Sequence, residues 1–393
     1  MGISTQVGII GAGPAGLLLS HLLHRAGIES VIVEDRSREY VEHRVRAGVL
    51  EHGTVDLLTE LGLAARLRRE GLVHHGIEIR FGGRRYPIPL SELAGGRSIT
   101  IYGQQELVKD LIAARLAIDL PILFDAADVQ LLGVDAERPT IRFTLDGRQE
   151  TISCDFVAGC DGSHGVSRAA IPDGVLQTFG RDYPFAWLGI LADVAPSTDE
   201  ITYASHKHGF ALHSMRSPSI SRLYLQVSTD ESLDAWPDDR IWSELRLRLG
   251  TDDGWRLADG PIVDKAITPM RGFVVEPMQY GRLFLAGDAA HIVPATGAKG
   301  LNLAVSDVNA LAEGIVRRYH TGQSDLLDGY SQRCLPRVWR VQEFSWYMSS
   351  LLHNMPGDDD FDRRLRRAEL EWLVSSRSAA ASLAENYVGL PFA

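Results

Sequence analysis

Gly11, Gly13 and Gly16 stand between an apolar run, Val7-Gly8-Ile9-Ile10, and a leucine-rich run that begins at Leu17. That spacing suits a backbone that turns tightly at Gly11, approaches a pyrophosphate at Gly13 and packs helix on strand at Gly16. Ala15 sits inside the same turn, and the N-terminus of the following helix faces the phosphates. Glu34 closes the next apolar run, Val31-Ile32-Val33, where a carboxylate accepts hydrogen bonds from ribose hydroxyls. The chemistry expected is dinucleotide binding. Glycine triplets arise by chance in a chain with 38 glycines. The weight therefore rests on the strand before, the helix after and the acid beyond.

Two later segments extend the pattern. Cys154 to Arg168 contains Asp161-Gly162, and Arg282 to His291 contains Gly287-Asp288. The second continues through Pro294, Thr296, Gly297, Lys299, Gly300, Leu301 and Asn302. Each reads as a buried strand ending at a turn into a helix, offering backbone N–H groups and one carboxylate to a polyol or phosphate. Either alone is also ordinary turn chemistry. No His-Glu-x-x-His, Cys-x-x-Cys or Gly-x-Ser-x-Gly run occurs, which disfavours a metalloenzyme or serine hydrolase and leaves no metal ligand set.

The elements that must hold these groups follow from the hydrophobic pattern. Residues 1–35 predict strand, turn, helix, strand. Helices are expected over 49–63 and 104–117, and a hairpin over 76–90 with its turn at Gly82-Gly83. Four strand-like runs fill 122–156, and β signals dominate 186–227. A helix near 240–249 and a strand over 263–275 precede helices near 301–319, 326–351, 361–375 and 379–386. The pattern is a nucleotide-binding α/β unit, an inserted and mostly antiparallel sheet, then a helical tail.

Composition bounds the partners. The 393 residues are 45% hydrophobic and 23% charged, an ordinary globular profile in two or three domains. A net charge of −11 argues against broad nucleic-acid or anionic-membrane binding. Only Lys109, Lys207, Lys265 and Lys299 are lysines, so arginine supplies nearly all the positive charge. Genome bias accounts for that, although guanidinium also suits bidentate recognition of carboxylates and phosphates. Cys154, Cys160 and Cys334 have no zinc-type spacing and fit a reducing cytoplasm. No secretory signal, myristoylation motif or membrane-spanning run is seen.

Taken in order, the three glycine-acid segments resemble the single-component flavoprotein aromatic hydroxylases. That family has one Rossmann-type FAD domain with an inserted substrate domain. The resemblance runs over essentially the whole chain, through Arg44-Val45-Arg46-Ala47-Gly48-Val49-Leu50-Glu51 and Phe273-Val274-Val275-Glu276-Pro277-Met278 to Ala384-Glu385-Asn386-Tyr387-Val388-Gly389-Leu390-Pro391. It implies an α/β fold with an α+β insert. An FAD-binding domain would occupy 1–178, with a substrate-side hairpin near 73–99. A substrate-binding sheet would span 179–271, and 272–393 would hold a flavin-contacting segment and a helical, dimerising tail. Within the family the chain is most similar to members that hydroxylate 4-hydroxybenzoate to protocatechuate in aromatic-compound degradation. These use NADH or NADPH and O2, act through a flavin C4a-hydroperoxide, and are homodimers.

The resemblance also assigns roles. FAD would be held tightly but non-covalently by the Gly11–Gly16 turn with Ala15, by Glu34 at the adenosine ribose, by Arg46 and Gln104 near the pyrophosphate, and by Asp288 at the ribityl chain. Gly297, Lys299, Gly300, Leu301 and Asn302, at a helix start, would lie beside the isoalloxazine and stabilise negative charge on the reduced ring. Ser214, Arg216 and Tyr224 would hold the substrate carboxylate. Tyr203, with Ala295 and Thr296, would meet its phenol oxygen. Tyr387 and His74 would extend Tyr203 into a proton relay, and Arg222 would bias the flavin between buried and exposed positions. Arg44, His164, Arg168 and Arg271 would contact the nicotinamide cofactor.

Chemistry favours those residue types. An electrophilic oxygen donor needs an electron-rich ring, and a phenol becomes one on losing a proton whose solution pKa is about 10. A tyrosine bonded to that phenol, linked through a second hydroxyl and a histidine, removes the proton near neutral pH. A benzoate carboxylate buried beside a flavin needs a cation such as Arg216.

Three positions depart from the family pattern. Ala295 replaces a proline whose carbonyl meets the substrate hydroxyl; alanine keeps the carbonyl and loses the fixed φ. Ser163 stands where an aromatic residue could stack on a pyridine nucleotide. Asp35 replaces a basic residue, in a segment with Arg36, Arg38 and Tyr40. A carboxylate there repels a 2′-phosphate or binds ribose hydroxyls, while Arg36 or Arg38 could still accept the phosphate; NADH is the expected preference. The competing readings are a sister hydroxylase acting on 3-hydroxybenzoate or salicylate, and a non-catalytic binding protein on the same fold.

Overall fold

The computed structural model describes residues 2–46 and 48–392. Val7–Ile10, Ser30–Val33 and Phe156–Gly159 are buried at every position. Unbroken apolar runs of this kind belong in a parallel sheet covered on both faces. They form the centre of a six-stranded sheet in the order Gln279–Tyr280, Leu283–Leu285, Phe156–Gly159, Val7–Ile10, Ser30–Val33, Ile122–Leu123. All pairs are parallel except the first. The strand that leads into Gly11 lies beside the strand that leads into Asp161, which in turn lies beside the strand that leads into Asp288. Three motifs far apart in sequence thus emerge at one carboxyl edge, where open α/β sheets bind ligands.

A second sheet of eight strands is antiparallel except where Ile201–Ser205 runs parallel to Ile77–Phe81. Two long strands, Gln177–Ala192 and Ile262–Glu276, pair along most of their length and carry this sheet away from the first. Their register shifts between Asp182 and Ala186, at Pro184, whose missing N–H interrupts the ladder. Side chains alternate between its faces. Leu188, Ile190, Leu223 and Leu225 pack on helix Asp238–Leu249. Trp187, Tyr203, Phe210 and Leu212 pack against the C-terminal helices Tyr330–Leu352, Asp360–Ser375 and Arg377–Val388.

Some elements differ from the sequence pattern. The helix expected over 326–351 is broken at Gly329 into Asp325–Asp328 and Tyr330–Leu352. The one expected over 49–63 starts at His52, because Val49–Leu50 pairs as a strand with Thr100 and Ile101. Gly2–Ser4 forms a short strand on Thr151–Ser153, too brief to show a period. Among the described residues no helix is long and apolar enough to cross a membrane, and all three cysteines are free and buried.

Candidate active site

At the carboxyl edge of the parallel sheet, Gly11 has φ +103°, and a Cβ there would lie 2.5 Å from the Cys160 carbonyl oxygen. A Cβ on Gly16 would lie 2.1 Å from the Gly11 carbonyl oxygen. Both positions require glycine. Gly13 is different: among the described residues a Cβ there meets nothing within 4 Å, so its backbone faces open space. Helix Pro14–Arg25 begins beside it with no side-chain cap and no acid in its first turn, leaving its N–H groups for an anion. The Glu34 carboxylate is buried, accepting from Ala12 N–H at 2.6 Å and Arg36 N–H at 3.0 Å. Burial raises it to about 7.

The other two motifs are tied to this edge by groups that local sequence does not announce. Asp307, on the buried face of helix Gly300–Thr321, accepts from Gly287 N–H at 2.9 Å and from His291 Nε2 at 2.6 Å. Burial alone would lower His291, but Asp307 more than offsets that and the imidazole is held above its usual range. Asp288 is left exposed at the mouth. Burial and Arg44 pull the Arg46 guanidinium below its usual range, and Asp288 and Arg222 are both near enough to act on it. Asp161 accepts from Ser167 N–H at 2.8 Å in the first turn of the next helix, and among the described residues its buried Oδ1 has no hydrogen-bond partner.

Several expected ligand contacts are engaged within the protein. Arg168 donates to the Ala289 carbonyl at 3.1 Å and the Ser163 carbonyl at 2.7 Å, and lies over the Phe273 ring. It bolts two motif segments together. Lys299 Nζ is bonded to Glu51 at 2.6 Å and to the Tyr387 carbonyl at 2.9 Å. Arg337 reaches the other Glu51 oxygen at 3.1 Å, completing a buried triad. Burial lowers the Lys299 ammonium, and Glu51 works against that fall. Asn302 fills all four of its valences: it accepts from Glu51 N–H and Thr54 Oγ1 and donates to the Val49 and Ala298 carbonyls. Its backbone and those of Gly300 and Leu301 remain at the uncapped start of a 22-residue helix with no acid in its first turn.

Ala298 precedes that helix in the left-handed region, φ +53°, and the turn Ala295–Gly297 precedes Ala298. The Ala295 carbonyl accepts from Ala298 N–H at 2.9 Å, so one lone pair is in use and one remains. The Thr296 hydroxyl accepts from Ser349 Oγ at 2.9 Å, and its carbonyl accepts from Tyr203 Oη at 3.4 Å.

The large sheet brings the predicted substrate residues onto one face. Tyr203 pairs with Leu212, Leu212 with Tyr224, and Tyr224 with Gly189, a row across four strands. Two residues further along, Ser214 lies opposite Arg222 and donates to its carbonyl at 3.1 Å. Arg216 follows at the strand end, donating to the Arg46 carbonyl at 2.9 Å and to Gln105. It is Gln105, beside the expected Gln104, that makes this contact. Burial, then Arg222, pulls Arg216 down to about 10. The Arg222 guanidinium lies 5.3 Å from the Tyr224 ring centroid and also reaches the Arg46 carbonyl.

On this same face the Tyr203 and Tyr387 hydroxyls are 2.5 Å apart, both rings fully buried. Burial raises both hydroxyls above the ordinary phenol range, so each holds its own proton. His74 is buried too, but among the described residues no hydrogen bond joins it directly to Tyr387. Its Nδ1 is bonded to Glu200 at 2.5 Å. Glu200 carries no motif, and its partner lies 126 residues away in sequence.

Apart from Arg168, the residues expected at a pyridine nucleotide lie on the exterior. Asp35 and Arg36 form an exposed pair at 3.6 Å, and Arg38 is bonded to Glu42 at 2.6 Å. Tyr40, Arg44, His164 and Arg271 are exposed.

The FAD binding domain family matches residues 4–345. The p-hydroxybenzoate hydroxylase of Acinetobacter baylyi (strain ATCC 33305 / BD413 / ADP1) is 48% identical over 390 residues, covering 99% of this chain and 96% of that protein. The 3-amino-4-hydroxybenzoate 2-monooxygenase of Streptomyces cremeus is 28% identical, with 94% of each chain covered. The solved structure of p-nitrophenol 4-monooxygenase from Pseudomonas putida DLL-E4 shares the fold, with TM-score 0.85 over 98% of each chain at 20% identity.

Proposed function

The chain belongs to the FAD binding domain family, and from that premise we propose that it hydroxylates 4-hydroxybenzoate beside its hydroxyl group. The product is 3,4-dihydroxybenzoate, and NAD(P)H and O2 are consumed. The residues present fit FAD: the open side of Gly13, the uncapped start of helix Pro14–Arg25, the Glu34 carboxylate and exposed Asp288 share one edge. The start of helix Gly300–Thr321 supplies further N–H groups. When bound, FAD supplies hydride acceptance from the nicotinamide and activation of O2. The protein supplies recognition and proton movement.

The observation that carries this reading is the buried Tyr203–Tyr387 hydroxyl pair, on the sheet face that also bears Ser214 and Tyr224, with Arg216 just past the strand end. At a rise of roughly 3.4 Å per residue, Ser214 lies about 7 Å along its strand from the Tyr203 row, and Arg216 about twice that. A ring with hydroxyl and carboxylate at opposite ends matches that separation; salicylate, with the two adjacent, does not. Arg216 and Ser214 neutralise and orient the carboxylate. Tyr203 accepts the phenol proton while passing its own to Tyr387, and neither tyrosine needs to ionise by itself. The Ala295 carbonyl keeps a lone pair for the substrate hydroxyl.

Three finer assignments complete the proposal. NADH is preferred over NADPH, because Asp35 opposes a 2′-phosphate while Arg36 and Arg38 already face carboxylates. The active form is a cytoplasmic homodimer. The chain divides into FAD-binding, substrate-binding and C-terminal parts at about 178 and 271, following the turn from parallel to antiparallel sheet. Flavin reduction by NADH, timed with 4-hydroxybenzoate, 3-hydroxybenzoate and salicylate in turn, tests the substrate. The para isomer is expected to accelerate reduction most, and greater acceleration by either other isomer overturns the assignment.

A further inference from the structure

Glu200 is placed between a sealed histidine and open water. One carboxylate oxygen is 2.5 Å from His74 Nδ1. The other accepts from His75 N–H at 3.1 Å and Gly76 N–H at 3.0 Å, fixing the turn that follows His74. The Glu200 carbonyl is itself held by Thr198 Oγ1 at 2.8 Å. The His74 side chain is 2% exposed and that of Glu200 33%, so the carboxylate is the wet end of the pair. It opens onto a surface cavity of about 630 Å³. Inward, Glu200 is near enough to Tyr387 for its charge to help keep the proton on that hydroxyl, after burial and Tyr203. The other charged groups around the cavity do not compete for His74. Glu78 is paired with Arg80 at 2.6 Å and Arg85 at 2.8 Å, His75 Nδ1 faces Ser91 Oγ at 3.0 Å, and Asp199 is exposed.

We propose that Glu200 is a positioning residue for proton release: it fixes His74 as the Nδ1–H tautomer and passes the released proton to solvent. The inference rests on the function argued above. The hydrogen bond at one imidazole nitrogen decides which nitrogen is free to accept. With Nδ1–H directed at Glu200, the Nε2 lone pair receives the proton leaving Tyr387, directly or through one water. Nδ1 then gives its proton to the carboxylate, and the carboxyl gives it to water. One proton crosses, one N–H bond forms as the other breaks, and no electron changes centre. Without the acceptor, the imidazole is free to present N–H inward and block the transfer.

The test uses the FAD-loaded protein mixed with 4-hydroxybenzoate, following proton release with a pH indicator and bound phenolate by absorbance, across pH. In Glu200→Gln the amide can donate to Nδ1 and reverse the tautomer. Proton release is expected to slow by about 10- to 100-fold, up to the lower end of what a positioned general acid–base group contributes, while the 4-hydroxybenzoate Kd stays within about twofold. Glu200→Asp restores much of the rate, and Glu200→Gln adds nothing further in a His74→Gln background. Wild-type release rates and pH dependence in Glu200→Gln overturn the proposal alone. If Glu200→Gln fails to retain FAD or to unfold cooperatively, Glu200→Asp and His74→Gln carry the test: unchanged release in both overturns it. Parent protein that binds 4-hydroxybenzoate without releasing a proton at any pH overturns the functional reading, and this proposal with it.

Discussion

Tyr203 Oη and Tyr387 Oη lie 2.5 Å apart although 184 residues separate them, one on a central strand of the large sheet and the other on the last helix. Two buried phenols this close are hydrogen-bonded to each other, and on the proposed reading that bond is a proton path. Tyr387→Phe keeps the ring and cuts the path. Hydroxylation is expected to fall about a hundredfold, with 4-hydroxybenzoate Kd changed less than about threefold because Ser214 and Arg216 are untouched. Stopped-flow turnover with equilibrium titration checks both, and an unchanged rate contradicts the relay.

Glu34 gives a pH dependence to cofactor binding. Its folded value of about 7 lies above the usual carboxyl range. From about pH 4.5 to 7 the folded apoprotein therefore holds a proton that the unfolded chain has lost. Stability from this group is full below that window and fades as pH rises through it. Ribose hydroxyls need the ionised carboxylate, so FAD binding expels the proton. Affinity for FAD should fall roughly tenfold from pH 8 to pH 6. Fluorescence titration of the apoprotein should show that slope flattened in Glu34→Gln, and equal slopes would contradict the role.

Asp307 fixes the turn that presents Asp288. Asp307→Asn leaves His291 buried beside a neutral amide and should lower stability by about 3 kcal/mol, with faster loss of FAD on dilution. The pair has a sign of its own. Because His291 is held above its usual range, the stability it adds is full at low pH and fades as pH rises through its folded value. Melting curves of parent and variant should therefore converge as pH rises. A variant as stable as the parent at pH 6 contradicts this account.

On the proposed reading, nucleotide choice is set on the exposed segment after Glu34, where Asp35 is paired with Arg36 and Arg38 is bound to Glu42. Steady-state kinetics should give a higher kcat/KM with NADH than with NADPH. An efficiency roughly tenfold higher with NADPH, about 1.4 kcal/mol the other way, overturns it.

The legible parts of this molecule are those where chemistry and local backbone coincide. Gly11 and Gly16 announce themselves because no other residue fits beneath the Cys160 and Gly11 carbonyls. Tyr203, Ser214 and Tyr224 fall on one face because period-two alternation places them there. What the sequence hid is pairing at long range. Glu51 meets Lys299 and Arg337 across 248 and 286 residues, so the ammonium expected beside the flavin is bound into a triad. His74 is expected as a relay member only through the family resemblance, and Glu200 has no pattern to mark it. Asp307 left one trace, a lone carboxylate on the apolar face of helix Gly300–Thr321, whose partner only the fold reveals.

The central claim is that this site oxygenates the para-hydroxy acid. Purified protein loaded with FAD should be incubated with 4-hydroxybenzoate, NADH and O2, and the products separated by chromatography. The expected product is 3,4-dihydroxybenzoate, in near-equal amount to the NADH consumed. NADH oxidation that yields peroxide and returns 4-hydroxybenzoate unchanged, while 3-hydroxybenzoate or salicylate is hydroxylated, contradicts it.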